Sequence, residues 1–122
     1  MHKAKLLLLC SFLTFTVLIG MGQAYENRTL DIAYSDLTKD ARKQIDCLAE
    51  NIYHEAGYEP AAGKQAVALV TMNRTQDERF PQNICGVVKQ KTQGTCQFSW
   101  FCMPVKIHKD SDAFRESMKA AL

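Results

Sequence analysis

A histidine and a glutamate stand side by side at positions 54 and 55, a second glutamate follows at 59, and Gln97, Phe98, Ser99 and Trp100 form a run between Cys96 and Cys102. A carboxyl that keeps its proton near neutral pH can deliver it to a leaving oxygen, while a second carboxylate serves as base or nucleophile; glycoside cleavage divides its labour in this way. Glu55 is the candidate acid. Glu59 is the candidate second carboxylate, with helping to start the next helix as its alternative role. Amide, hydroxyl and aromatic side chains in one loop suit the orientation of a polar ring such as a sugar.

The adjacent His and Glu also invite a metal reading, which fails on spacing. A zincin helix needs HExxH, and the second His position is Tyr58. His54 and His108 lack a spaced third ligand and read as one exposed and one loop histidine, so neither a metal nor a cofactor is expected. The cysteines contain no CxxC pair, which argues against a zinc site.

These groups need elements to hold them. Ala41, Ile45, Leu48, Ile52 and Ala56 recur at steps of three and four, the period of an amphipathic helix, with Thr38 or Asp36 to cap its start and Gly57 for a left-handed position past its end. At about 100° per residue, Glu55 lies only about 20° from the direction of Leu48. That places it on the core-facing stripe, where partial desolvation would help it hold a proton. Pro60 opens a second helix whose Ala66, Val67, Leu69 and Val70 form a broad apolar face expected to be nearly buried. Pro81 opens a short third helix through Ile84, Val87 and Val88. The stretch TQGTCQFSWFC breaks helical spacing and reads as an irregular loop or small hairpin, with one aromatic turned in and its neighbours exposed. Asp110 or Ser111 caps a last helix burying Phe114, Met118 and Leu122. The fold class is mostly α, a single small domain with one aromatic loop.

Composition sets the compartment. Lys3 and Lys5 precede an uncharged apolar run and the small-residue site GQA, the pattern of a signal peptide cleaved after Ala24. An uncleaved membrane anchor is the alternative reading of the same residues. The remaining 98 residues carry 13 basic and 13 acidic groups; residues 25–62 hold 4 basic against 8 acidic, and residues 63–122 hold 9 against 5. No concentrated basic excess marks a nucleic-acid binder. Cleavage leaves four cysteines, Cys47, Cys85, Cys96 and Cys102, an even count that in an exported domain points to disulfides. Of three possible pairings, Cys96 with Cys102 and Cys47 with Cys85 are favoured.

Four stretches together resemble one family, the SleB-like cell wall hydrolases. Its pattern runs A-x-x-I-x-x-E-A-R/K-G-E-P, then G-x-x-A-V-A-x-V-x-x-N-R, then F-P-x-x-I/V-x-x-V-V/I, then Q-F-S. Here AENIYHEAGYEP, GKQAVALVTMNR, FPQNICGVV and CQFSWFC follow in that order at compatible spacings across residues 49–102. The resemblance implies a lysozyme-like helical fold that cleaves the bond between N-acetylmuramic acid and N-acetylglucosamine in peptidoglycan, as a lytic transglycosylase or a muramidase. Glu55 falls on the first Glu of the motif and inherits the acid/base role, with Tyr58, Glu59, Gln97, Phe98 and Ser99 as substrate-binding candidates. Two departures stand out: Gly57 and Tyr58 replace the family's basic residue and glycine, and the family pattern continues beyond the helix at which this chain stops.

The expected organisation is therefore a signal peptide at 1–24, a lead-in at 25–37 and the hydrolase domain at 38–122, with a truncated C-terminus left open. The expected product is a secreted or periplasmic monomer associated with the cell wall, with glycan strands as partner and no membrane insertion after cleavage. A non-catalytic peptidoglycan-binding or inhibitor-like module is the rival expectation.

Overall fold

Thr38 stands at the start of a long helix in the computed structural model, which describes residues 28, 31, 33–103 and 105–122. Its side chain accepts from Ala41 N at 3.2 Å and caps helix α1, Lys39–Ala56, satisfying one of the donors that a helix start leaves open. Cys47, Leu48, Ala49, Asn51, Ile52 and Ala56 form its buried stripe. Gly57 departs from expectation. It stays right-handed, at φ −56° and ψ −32°, and its N–H donates to Tyr53 O at 3.0 Å. A Cβ there would clash with that oxygen, so the turn needs glycine for space and not for a positive φ.

Pro60 is the cap residue ahead of α2, Ala61–Thr75. This helix corrects the expectation of a broad buried apolar face. It buries Lys64, Ala68 and Thr71, while Leu69 and Val70 are 58 % and 49 % exposed and Ala66 is exposed. Alanine and valine occur around most of its circumference, so composition does not choose the inner side. Contact does: Ala68 joins the core cluster, and the Thr71 hydroxyl back-bonds to Val67 O at 2.9 Å. The Lys64 amine is satisfied on Glu59 O.

The short helix α3, Ile84–Val88, is capped by Asn83, which accepts from Gly86 N at 2.7 Å; Pro81 lies ahead of the cap. A disulfide joins Cys85 to Cys47, and Cys85 N donates to Gln44 Oε1 at 2.9 Å, so α3 is fastened to α1 twice. Strands β1, Lys91–Thr92, and β2, Thr95–Cys96, pair antiparallel with Thr92 opposite Thr95. Gln93 and Gly94 between them both have positive φ, 50° and 82°, as a tight two-residue hairpin turn demands. A 3₁₀ turn at Ser99–Cys102 follows and is tied back by the second disulfide, Cys96–Cys102. Both favoured cysteine pairings are therefore present.

Ser111 caps the final helix α4, Asp112–Ala121, accepting from Phe114 N at 3.2 Å. Phe114, Ser117 and Ala121 face inward, and Met118 packs against the core from its edge. Leu122 lies past the helix end and is 44 % exposed, contrary to its expected burial. Leu48, Ala49 and Ile52 of α1, Ala68 of α2, and Phe114 and Ala121 of α4 form the central cluster. The domain is mostly helical with one hairpin, as expected.

The chain divides into two units, Met1–Asp36 and Leu37–Leu122, and the elements above belong to the second. In the first, residues 28, 31 and 33–35 are helical. The signal segment expected at 1–24 lies outside the described residues. No helix among the described residues is long and apolar enough to cross a membrane.

Candidate functional site

Glu55 is the next-to-last residue of α1, and the structure exposes it. The expected core-facing setting is thus corrected. Its angular direction does fall within the buried stripe, since it stands one turn beyond fully buried Asn51. What is missing is cover on that side of the helix, since Ala56 and Gly57 just beyond it are buried. The carboxyl instead helps line a depression of about 300 Å³, together with Tyr53, His54, Ala56, Gly57, Tyr58, Glu59 and Lys106. Glu59 is exposed in the same depression, so both candidate carboxylates open onto one space. Tyr58 is 93 % exposed.

His54 is half-buried, not the exposed histidine that its position suggested. Its ring stacks on Trp100, with centroids 4.3 Å apart and planes 19° from parallel, and meets Tyr53 edge-on at 5.2 Å. Burial lowers its pKa below the usual 6.5, while Glu50 pulls in the other direction. Its Nε2 is buried and has no hydrogen-bond partner among the described residues. The residue next to Glu55 in the chain is therefore in direct contact with the aromatic loop.

The loop reaches α1 by a second contact. Trp100 Nε1 donates to Asn51 Oδ1 at 2.9 Å, and Asn51 Nδ2 donates to Thr71 Oγ1 at 3.1 Å. Within the loop, Gln97 and Ser99 are exposed, Phe98 is buried and Trp100 is half-buried, the mixture that alternation predicted. Phe98 lies under Arg74, whose guanidinium carbon is 5.4 Å from its ring centroid and 5.3 Å from that of Phe80. The loop thus offers ligand an amide and a hydroxyl, and Phe98 acts as its anchor in the core.

The structure brings Glu55, Tyr58 and Glu59 together and sets the Trp100 ring against the histidine next to Glu55. Gln97 and Ser99 are absent from the lining of that depression. Sequence reasoning missed Lys106, which follows the aromatic loop in no motif, and missed Asn51. Asn51 did leave a signal, since an amide among core-facing residues needs partners. No three His, Cys, Asp or Glu side chains converge among the described residues as a metal site would require. Exposed carboxylates, a lysine and a half-buried imidazole beside a polar loop suit acid–base work on a neutral polar ligand.

Comparison with known proteins adds an independent line. A family model described as Cell Wall Hydrolase matches residues 58–122, just over half of the chain, beginning three residues after Glu55. The spore cortex-lytic enzyme of Halalkalibacterium halodurans is 43 % identical over 44 residues, which are 36 % of this chain and 13 % of that protein. The chain therefore covers far less than two thirds of this relative. No solved structure matches it.

Proposed function

This chain belongs to the cell wall hydrolase family, and on that premise we propose that it cleaves the glycan strands of peptidoglycan outside the cell membrane, with Glu55 as acid and base. The observation that carries the reading is the position of Glu55, on the open last turn of α1 in a depression shared with Glu59, Tyr58 and Lys106. The two disulfides support an oxidising compartment.

In this reading a strand lies across the depression with the bond between N-acetylmuramic acid and N-acetylglucosamine at Glu55. The fully exposed Tyr58 ring offers a flat apolar platform for one sugar face, and Gln97 and Ser99 hydrogen-bond hydroxyl and acetamido groups farther along the strand. The burial that favours a protonated carboxyl is not built into the free chain. The sugar supplies it, because a ring laid over the depression excludes water from Glu55. Glu55 then protonates the glycosidic oxygen. As a lytic transglycosylase it next accepts the proton of the muramic acid 6-hydroxyl, whose oxygen closes a 1,6-anhydro ring; with water as the attacking group the product is an ordinary reducing end.

The exposure of Glu55 also favours the second reading, a wall-binding module without turnover. Zymography on embedded cell walls separates the two. Wild type is expected to clear and Glu55→Gln, which is nearly isosteric but has no proton to give, to leave the gel opaque. Equal clearing by both removes Glu55 from the mechanism, and sedimentation with peptidoglycan without clearing by wild type favours the binding module.

A further inference from the structure

A primary amide has one acceptor oxygen and two donor hydrogens, and in a buried layer each unmade bond is costly. Asn51 is 0 % exposed, as deeply set as Ile52 and Val87. Both ends of its amide nevertheless cross to other elements, the oxygen to Trp100 Nε1 and the nitrogen to Thr71 Oγ1. Thr71 is in turn fixed by its own bond to Val67 O. The amide therefore has a set orientation, with its oxygen aimed at the aromatic loop. The indole it holds is gripped again by the His54 stack at 4.3 Å. Residues 51 and 54 of α1 thus hold one ring between them, immediately before Glu55. The loop carrying that ring is short and closed by Cys96–Cys102, so the position of Trp100 limits where Gln97 and Ser99 can be.

We propose that Asn51 is a positioning residue, which acts through Trp100 to set the Gln97–Ser99 edge of the loop in register with Glu55. The inference rests on the reading of Glu55 given above. A role for Asn51 in packing alone would be visible in stability and nowhere else.

The chain has one tryptophan, so its emission reports this ring alone. In Asn51→Leu the indole N–H loses its acceptor; the emission maximum is expected to shift and the anisotropy to fall while cooperative unfolding is kept. Trp100→Phe approaches from the other side, keeping an aromatic ring for His54 and removing the donor. On dye-labelled peptidoglycan, at a temperature where the proteins are folded, its kcat/KM is expected to fall about ten- to a hundred-fold, the scale of a small misplacement at a reacting centre. Val87→Ala, a destabilising change in α3 that leaves the indole bond intact, is expected to keep kcat/KM. Unchanged emission in Asn51→Leu, or a kcat/KM that follows stability equally in Trp100→Phe and Val87→Ala, overturns the proposal. If Asn51→Leu does not fold, Trp100→Phe decides. A Glu55→Gln variant that clears like wild type removes the catalytic reading, and the emission result still decides whether Asn51 holds the loop.

Discussion

Asn51 and Glu55 sit one turn apart on the same side of α1, the first fully buried with its amide bonded at both ends, the second exposed at the lip of a depression. Helical phase is common to both. What differs is cover on that side: Thr71 of α2 and Trp100 of the loop reach Asn51, whereas Glu55 opens onto the depression even though Ala56 after it is buried. A polar group under cover must be satisfied by the protein and holds structure. One beyond the cover keeps its hydrogen-bonding capacity for a ligand.

This contrast predicts that changes at the lip cost activity and changes under the cover cost stability. The largest separation is expected between Glu55→Gln and Leu48→Ala. Glu55→Gln should lower turnover of labelled peptidoglycan by roughly 10²- to 10⁴-fold, with an unfolding free energy within about 0.5 kcal/mol of wild type, as for other exposed changes. Leu48, 2 % exposed, should cost about 2–5 kcal/mol on truncation to alanine, measured by urea unfolding, with specific activity of the folded fraction retained. Activities that simply follow stability in both variants would erase the distinction.

The disulfides sharpen it. Cys47–Cys85 closes a separation of 38 residues and Cys96–Cys102 one of 6. Chain-entropy arguments assign about 4 kcal/mol to the first and about 2 kcal/mol to the second. Paired serine replacements should reproduce that order in urea, whereas loss of the smaller loop should cost more activity per unit of stability, because it frees Gln97 and Ser99.

His54 provides the smallest effect. Its pKa is lowered from 6.5, first by burial, with Glu50 opposing. The fold therefore prefers the neutral ring; this contribution is fully present above the unfolded value and is lost as pH falls through the lower folded value. Thermal midpoints should decline modestly as pH falls below 6.5, and His54→Gln should flatten that decline. An equal decline in the variant assigns the titration to another group.

Much of this arrangement was legible from residue types. The steps between Ala41 and Ala56, Thr38 as one of two cap candidates, a loop or small hairpin in TQGTCQFSWFC and both favoured cysteine pairings follow from local rules, because each depends on neighbours close in the chain or on a small set of possible pairs. Three features escaped for one reason. The exposure of Glu55, the outward face of Leu69 and Val70, and the bond from Trp100 to Asn51 depend on which element lies across from a helix and how far it extends. Periodicity gives direction around an axis and is silent on cover along it. Gly57 escaped differently: glycine serves both left-handed caps and crowded turns, and its right-handed backbone, with Tyr53 O standing where a Cβ would go, tells which applies.

The central claim is that one carboxyl at the open end of α1 delivers a proton to a glycan bond. Mass spectrometry of soluble products from purified peptidoglycan, digested in parallel with wild type and Glu55→Gln, tests it most directly. The account predicts muropeptides from the wild type, with 1,6-anhydro or ordinary reducing ends, and none from the variant. The same products in the same yield from both would contradict it.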